Sequence, residues 1–183
     1  IRDMAKKCIE DNKIKNAEGL DKRELAIFRQ FGVDYLLAVI RQELKDFGVH
    51  FDVWSHQSKI ATTENIEKVL EILKEKGFIY EQEGAVWFKS TSLGDDKDRV
   101  VKKSDGSFTY LAPDIVYHKN KFERGFDKVI NLWGPDHHGY IPRLKAAVAA
   151  LGRDPKNQEV LIVQLATIFR DGKPLSMSTR RGQ

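Results

Sequence analysis

Apolar residues recur along this chain at two spacings, and the switches between them mark out the elements. Ile1, Met4, Ala5, Cys8 and Ile9 keep the i, i+3, i+4 rhythm of one helical face. Leu25, Phe28, Val33, Leu36, Leu37, Ile40, Leu44 and Phe47 continue it in a second helix, which Gly48 closes. Val49 to Trp54 alternates with β-prone residues and reads as a short strand. Thr62 or Thr63 caps a helix reaching about Lys76, with Ile66, Val69, Leu70 and Leu73 on its buried side and Gly77 as its stop. Phe78-Ile79-Tyr80 and Ala85-Val86-Trp87-Phe88 flank Gly84 as a hairpin. A second hairpin is predicted where Asp105-Gly106 separates Val100-Val101 from Phe108 to Tyr110. The charged run Gly94-Asp95-Asp96-Lys97-Asp98 between them reads as a solvated turn.

After residue 110 the texture changes. Lys128 to Trp133 is a short apolar run suited to a buried strand, broken by Gly134-Pro135-Asp136-His137-His138-Gly139. Pro142 opens an Ala-rich helix through Leu151 that Gly152 ends, and Val160 to Val163 supplies another strand. Strand, Gly-containing loop, helix, strand is the βαβ unit of a parallel sheet, which predicts an α/β fold. Such sheets bind ligands beyond the C-terminal ends of their strands, where Gly134 to His138 fall. The sequence has no internal repeat and no low-complexity tract.

Composition narrows the class. Of 183 residues, 41% are hydrophobic and 32% charged, enough for a core and too apolar for a disordered tail. Lys and Arg exceed Asp and Glu by 31 to 27, a +4 balance that permits a polyanionic partner without demanding one. The lone Cys8 forms neither an internal disulfide nor a Cys-rich zinc site, which fits a reducing compartment. No apolar run nears the roughly 20 residues of a membrane span, and Ile1 to Lys7 does not resemble a signal peptide. The expectation is a soluble, cytoplasmic protein with no membrane partner. Because the chain opens with Ile inside a helical pattern and stops in a small-polar, basic stretch, it is expected to be a piece of a longer polypeptide.

Asp136-His137-His138 is the densest group of functional side chains. It reads either as a helix start capped by Asp136 or as a site at a strand's C-terminal end, and the second is favoured. A metal site is not predicted, since adjacent residues rarely converge on one ion and His50, His56 and His118 show no zinc spacing. Gly134 lets a flat ligand approach the backbone, and Asp136 suits a ribose hydroxyl. Tyr110 and Asp114 are four apart, but Pro113 argues against a regular helix through them. Either Tyr110 packs and Asp114 caps a helix starting near Ile115, or the carboxylate and phenol grip a cation such as a planar guanidinium. Arg170 to Gly182 is a basic, Ser-rich loop, either a linker or a flexible cover for polyphosphate.

Four stretches in the second half resemble, in order, the class I arginyl-tRNA synthetases. They are Tyr110 to Asp114, Phe122-Glu123-Arg124-Gly125-Phe126-Asp127, Trp133 through Lys145, and Met177-Ser178-Thr179-Arg180. Residues 1–108 resemble that family more loosely, through Ile1-Arg2-Asp3-Met4-Ala5 and Phe51-Asp52-Val53-Trp54. The resemblance implies part of a Rossmann-type parallel sheet with helices, carrying a small α+β insertion. It divides the chain into a helical segment at 1–48, a connective insertion at 49–108 and a second Rossmann half at 109–183. It implies an enzyme that activates arginine with ATP, Mg2+ accompanying the nucleotide, and passes it to the 3′ end of tRNA(Arg), the intact enzyme being a monomer. Tyr110, Asp114, His137 and Gln57 correspond to arginine-binding positions, and Gly134, Asp136 and His138 to the nucleotide side. Met177, Ser178, Thr179 and Arg180 correspond to the catalytic KMSKS-like loop.

The departures from that pattern are specific. The family's His-Ile-Gly-His-type motif and its anticodon-binding domain do not occur in the chain, so the segment alone is expected not to aminoacylate. Ser176 and Thr179 stand at the usual lysine positions of the KMSKS motif, and Gln57 stands where the family often has Glu. Two rivals are weighed beside this reading. The DHH phosphoesterases share the Asp136-His137-His138 tripeptide but need further Asp-rich motifs, for which Asp95-Asp96-Lys97-Asp98 is a poor substitute. A winged-helix nucleic-acid module matches the helix and hairpin of residues 64–89, yet Glu64, Glu67, Glu71 and Glu75 interrupt any phosphate-binding stripe.

Overall fold

Side-chain caps from Asp21 and Thr62 start two of the α-helices. The computed structural model describes residues 1–12, 14, 19–164 and 166–174. The chain divides into two units, Ile1–Trp54 and Ser55–Gln183.

In the first unit, α1 (Arg2–Asp11) buries Cys8, and α2 spans Lys22–Asp46. Asp21 caps α2 by accepting the Glu24 N–H at 2.8 Å, while Glu24 accepts the Asp21 N–H at 3.0 Å, a reciprocal capping box. At the other end Gly48 takes φ +81°, a left-handed turn open to glycine without strain. The N–H of Val49 reaches the Leu44 carbonyl and that of Gly48 the Lys45 carbonyl, closing a Schellman motif. The strand expected at 49–54 does not form. Those residues find no ladder partner among the described residues, and a lone extended segment has nothing to hold it as a strand. Trp54 instead takes the Phe51 ring edge-on and the Arg41 guanidinium at 4.7 Å.

The second unit begins with the one-turn helix α3 (Gln57–Ile60) and α4 (Thr63–Glu75). Thr62 caps α4 through its Oγ1, and Ile66, Val69, Leu70 and Leu73 are its buried stripe, as their spacing predicts. β1 (Ile79–Gln82), β2 (Ala85–Phe88) and β3 (Arg99–Lys102) form an antiparallel sheet in that order. The β1–β2 turn is Glu83-Gly84, both at positive φ, the two-residue geometry that matches strand twist. The second predicted hairpin turns at Asp105-Gly106 and is short, with one bridge from Lys102 to Phe108 and the Thr109 N–H on the Val101 carbonyl, because the helix after Tyr110 ends its second arm.

The charged turn at 94–98 is also corrected. Asp95 is buried, with 1% of its side chain exposed, and it accepts hydrogen bonds from Arg99 at 2.8 and 3.0 Å. A carboxylate is tolerated there because a bidentate guanidinium pairs with it.

α5 (Leu111–Glu123) leads to β4 (Val129–Trp133), a 3-10 turn at Pro135–Tyr140, α6 (Ile141–Ala150) and β5 (Gln158–Ile162). β4 and β5 pair in parallel with α6 between them, the predicted βαβ unit and the α/β character of the chain. β6 (Phe169–Arg170) and β7 (Lys173–Pro174) make a small hairpin across Asp171-Gly172. One core joins Ile66, Leu70 and Leu73 of α4, Phe88 and Val101 of the antiparallel sheet, Leu111 and Ile115 of α5, and Ala146, Ala147 and Ala150 of α6. Residues 55–108 therefore share their interior with the βαβ segment. That shared core fixes α5 and so aims its other face. Among the described residues, no helix is long and apolar enough to cross a membrane.

Candidate active site

The site is built on the first turns of α5. The helix begins at Leu111, not near Ile115. Pro113 does not break it, because the missing N–H falls in the first turn, where no intrahelical acceptor exists. Tyr110 is therefore the N-cap residue, and Asp114 lies one turn along on the same face. Tyr110 does not pack: it is 88% exposed.

Asp114, Tyr117, His118 and Lys121 continue that face of α5 at helical spacing. They line a cavity of about 660 Å³ with Tyr110, with Asn131 and Trp133 of β4, and with His137 and Tyr140 of the 3-10 turn. Along β4 burial alternates: Val129 and Asn131 are buried, while Ile130 and Leu132 are exposed. Asn131 thus faces α5, where its Nδ2 donates to His118 Nε2 at 3.0 Å and its Oδ1 accepts from Lys121 at 3.3 Å. His118 Nδ1 donates to the Asp114 carbonyl at 2.8 Å, so the ring is neutral with its proton on Nδ1. The Tyr140 hydroxyl donates to Asp114 Oδ2 at 2.7 Å. Trp133 holds His137 and Tyr140 at ring separations of 6.0 and 5.8 Å.

Burial dominates the electrostatics. It pushes the His118 imidazolium down, helped by the Lys121 ammonium. It lowers Lys121 to about 8, against the pull of Asp114. It raises the Tyr140 phenol well above its ordinary range, with the bond to Asp114 acting in the same direction. Tyr140 therefore stays protonated and remains a donor. The cavity presents one carboxylate edge and a ring of aromatic faces, chemistry suited to a planar cationic group, with the Lys121 ammonium held by Asn131.

Of the residues singled out in sequence, Tyr110, Asp114 and His137 meet on this cavity. Gly134, Asp136 and His138 stand in the adjoining loop and 3-10 turn without lining it. The Asp136 carboxylate lies 3.6 Å from His137 Nε2. Gln57 lines two neighbouring cavities, one of about 300 Å³ that reaches Asp114 and Tyr117, the other of about 730 Å³ that reaches Tyr110. Met177, Ser178, Thr179 and Arg180 lie outside the described residues. Sequence reasoning missed Tyr117, His118, Lys121, Asn131, Trp133 and Tyr140 as cavity residues. Two signals were available: the polar stripe 110, 114, 117, 118, 121 at helical spacing, and a lone polar Asn131 inside an apolar strand.

Comparison with known proteins matches residues 3–183 to the family model for class I tRNA synthetases (R), catalytic domain. The arginine–tRNA ligase of Anoxybacillus flavithermus is 50% identical over 183 residues, all of this chain and 33% of that protein. That of Bacillus subtilis is 52% identical over 163 residues, 89% of this chain and 29% of that protein. A crystal structure from Campylobacter jejuni, named as an arginyl-tRNA synthetase, superposes with a TM-score of 0.83 at 40% identity, covering 96% of this chain and 38% of that one. The chain thus spans about a third of the length of the curated relatives it matches.

Proposed function

The chain belongs to the family of class I arginyl-tRNA synthetase catalytic domains, and on that premise we propose that it forms the arginine-binding part of a larger arginine–tRNA ligase. The observation that carries this reading is the Asp114 carboxylate in the lining of a largely apolar, aromatic cavity. A guanidinium bonds a carboxylate through two parallel N–H donors, a stronger and more directional contact than an ammonium makes. Asp114 takes the substrate guanidinium and Tyr110 covers it, with Gln57 closing from the α3 side. His137 lies toward the reacting carboxylate of the bound arginine, and Gly134, Asp136 and His138 face the nucleotide.

In this reading the arginine carboxylate attacks the α-phosphorus of ATP, giving the adenylate and releasing pyrophosphate. The ribose of the terminal tRNA(Arg) nucleotide then takes the arginyl group and releases AMP. Residues 177–180 are the KMSKS-like loop that offsets charge on the leaving pyrophosphate. Magnesium enters on the ATP phosphates. Among the described residues no three His, Cys, Asp or Glu side chains converge. The sheet of β4 and β5 is the second half of a Rossmann-type domain, with residues 49–108 as its connective insertion. The protein works in the cytoplasm as a monomer. Neither the metal-dependent phosphoesterase nor the winged-helix reading gains support from the family match.

The test is Asp114→Asn in the full-length enzyme, followed by ATP–pyrophosphate exchange. The arginine KM rises by about ten- to a hundredfold, the loss of one charged hydrogen-bond partner, while the ATP KM stays put. Equal effects on both substrates overturn the assignment.

A further inference from the structure

Asp114 is gripped by a residue from a different element. Its Oδ2 accepts the Tyr140 hydroxyl at 2.7 Å across 26 positions of sequence. A carboxylate's terminal torsion is soft, so by itself Asp114 could turn its oxygen pair through a wide arc. One rigid donor on one oxygen removes that freedom and sets the plane.

The donor is itself immobilised from several sides. Trp133 of β4 meets the Tyr140 ring edge to face at 5.8 Å, with an interplanar angle of 68°. The Arg143 guanidinium lies over the same ring, 4.8 Å from its centre. Arg143 in turn faces the buried Asp95, its Nε 3.9 Å from Oδ2, and Asp95 is clamped by Arg99. The Arg143 Nε is buried and has no hydrogen-bond partner, so Asp95 holds it by charge alone. Trp133 and Arg143 thus hold the ring, and the 94–98 turn holds Arg143.

We propose that Tyr140 is a positioning residue that fixes the plane of the Asp114 carboxylate, so that the site selects a forked, planar cation over a point-charge ammonium. This deepens the arginine reading above and rests on it. A guanidinium needs both oxygens in its own plane, whereas an ammonium bonds either oxygen at almost any tilt. Setting the plane therefore favours arginine over lysine through Asp114, the Tyr140 hydroxyl being committed to Oδ2.

The experiment compares Tyr140→Phe with Asp114→Asn in the full-length enzyme, by ATP–pyrophosphate exchange with arginine and with lysine. Removing the hydroxyl raises the arginine KM by about tenfold or more, leaves the ATP KM unmoved and narrows the preference for arginine over lysine. If Asp114→Asn raises the arginine KM and Tyr140→Phe does not, the positioning role is wrong and the arginine reading stands. If neither variant moves it, the arginine reading itself fails and takes this inference with it. A Tyr140→Phe enzyme whose arginine and ATP KM rise together, or whose preference is unchanged, overturns the proposal as well. Should Tyr140→Phe not fold, Arg143→Gln loosens the same ring one step back. It must then show a smaller rise confined to arginine, and no rise overturns the proposal.

Discussion

Asn131 of β4 donates its side-chain amide to Nε2 of His118 on α5 at 3.0 Å, and that bond decides which ring nitrogen holds the proton. With Nε2 accepting, Nδ1 donates to the Asp114 carbonyl at 2.8 Å. A protonated ring would lose the Asn131 bond and set a second cation beside Lys121, 3.5 Å away. Burial and Lys121 accordingly hold His118 below its ordinary value of 6.5. The unfolded chain binds this proton more readily than the folded one, so stability is full above pH 6.5 and falls as the pH drops below it. Denaturant midpoints of the full-length protein should decline between pH 7 and 5, and His118→Gln, which does not titrate, should flatten that decline.

Lys121 acts in the same direction at alkaline pH. Its folded value of about 8 lies below its ordinary 10.5, so the unfolded chain again binds the extra proton, now between those two values. Stability rises as the pH climbs from 8 toward 10.5, and below 8 the group costs a constant amount. Replacing it by Met removes the rise. The check is the denaturant midpoint of wild type and Lys121→Met at pH 7 and pH 10. A wild-type curve flat across that range rules the effect out.

Asp95 is the buried charge on which Arg99 and Arg143 both depend. Burial pushes its carboxyl up, but the Arg99 hydrogen bonds and the Asp96 amide together outweigh that and hold it well below the usual carboxylate range. The folded state therefore binds this proton less readily, and the contribution is complete above the ordinary 3.8 and lost as the pH falls. Asp95→Asn takes the carboxylate from Arg143, whose Nε is buried, and leaves Arg99 only Asp96, and should cost about 1–3 kcal/mol. Urea midpoints measure it, and a loss below about 0.5 kcal/mol would place the residue with ordinary surface positions.

These contacts show what the sequence could carry and what it could not. The α4 stripe, the Thr62 cap, the first hairpin and the β4–α6–β5 unit follow from spacing and caps, which are local. Tyr110, Asp114 and His137 were legible as candidates because they crowd strand and helix ends. Their neighbours were not, because Tyr140, Asn131 and Lys121 acquire meaning only when α5 lies against β4, a contact no local pattern encodes. Two errors share a cause. Pro113 was weighed as a helix breaker without regard to its place in the first turn, and Asp95 as solvated without regard to Arg99 four residues on, its partner across the turn. Val49 to Trp54 failed for the converse reason: β propensity needs a partner strand, and none of the described residues supplies one.

Gly134 has an ordinary backbone, φ −71° and ψ 162°, so no left-handed turn requires a glycine there. What a side chain there would meet is Asp136. A Cβ at that position would stand 2.7 Å from Asp136 Oδ1, closer than real contacts allow. Asp136 is exposed and its short side chain can swing away, so Gly134→Ala should move stability by less than about 1 kcal/mol. The cost falls on the carboxylate's position. With Asp136 on the nucleotide side, Gly134→Ala should raise the ATP KM several-fold and leave the arginine KM alone, the reverse of Asp114→Asn. The decisive measurement is a double-mutant cycle. If the alanine acts by displacing Asp136, its effect on the ATP KM disappears once Asp136 is itself replaced by Ala, whereas independent effects would add.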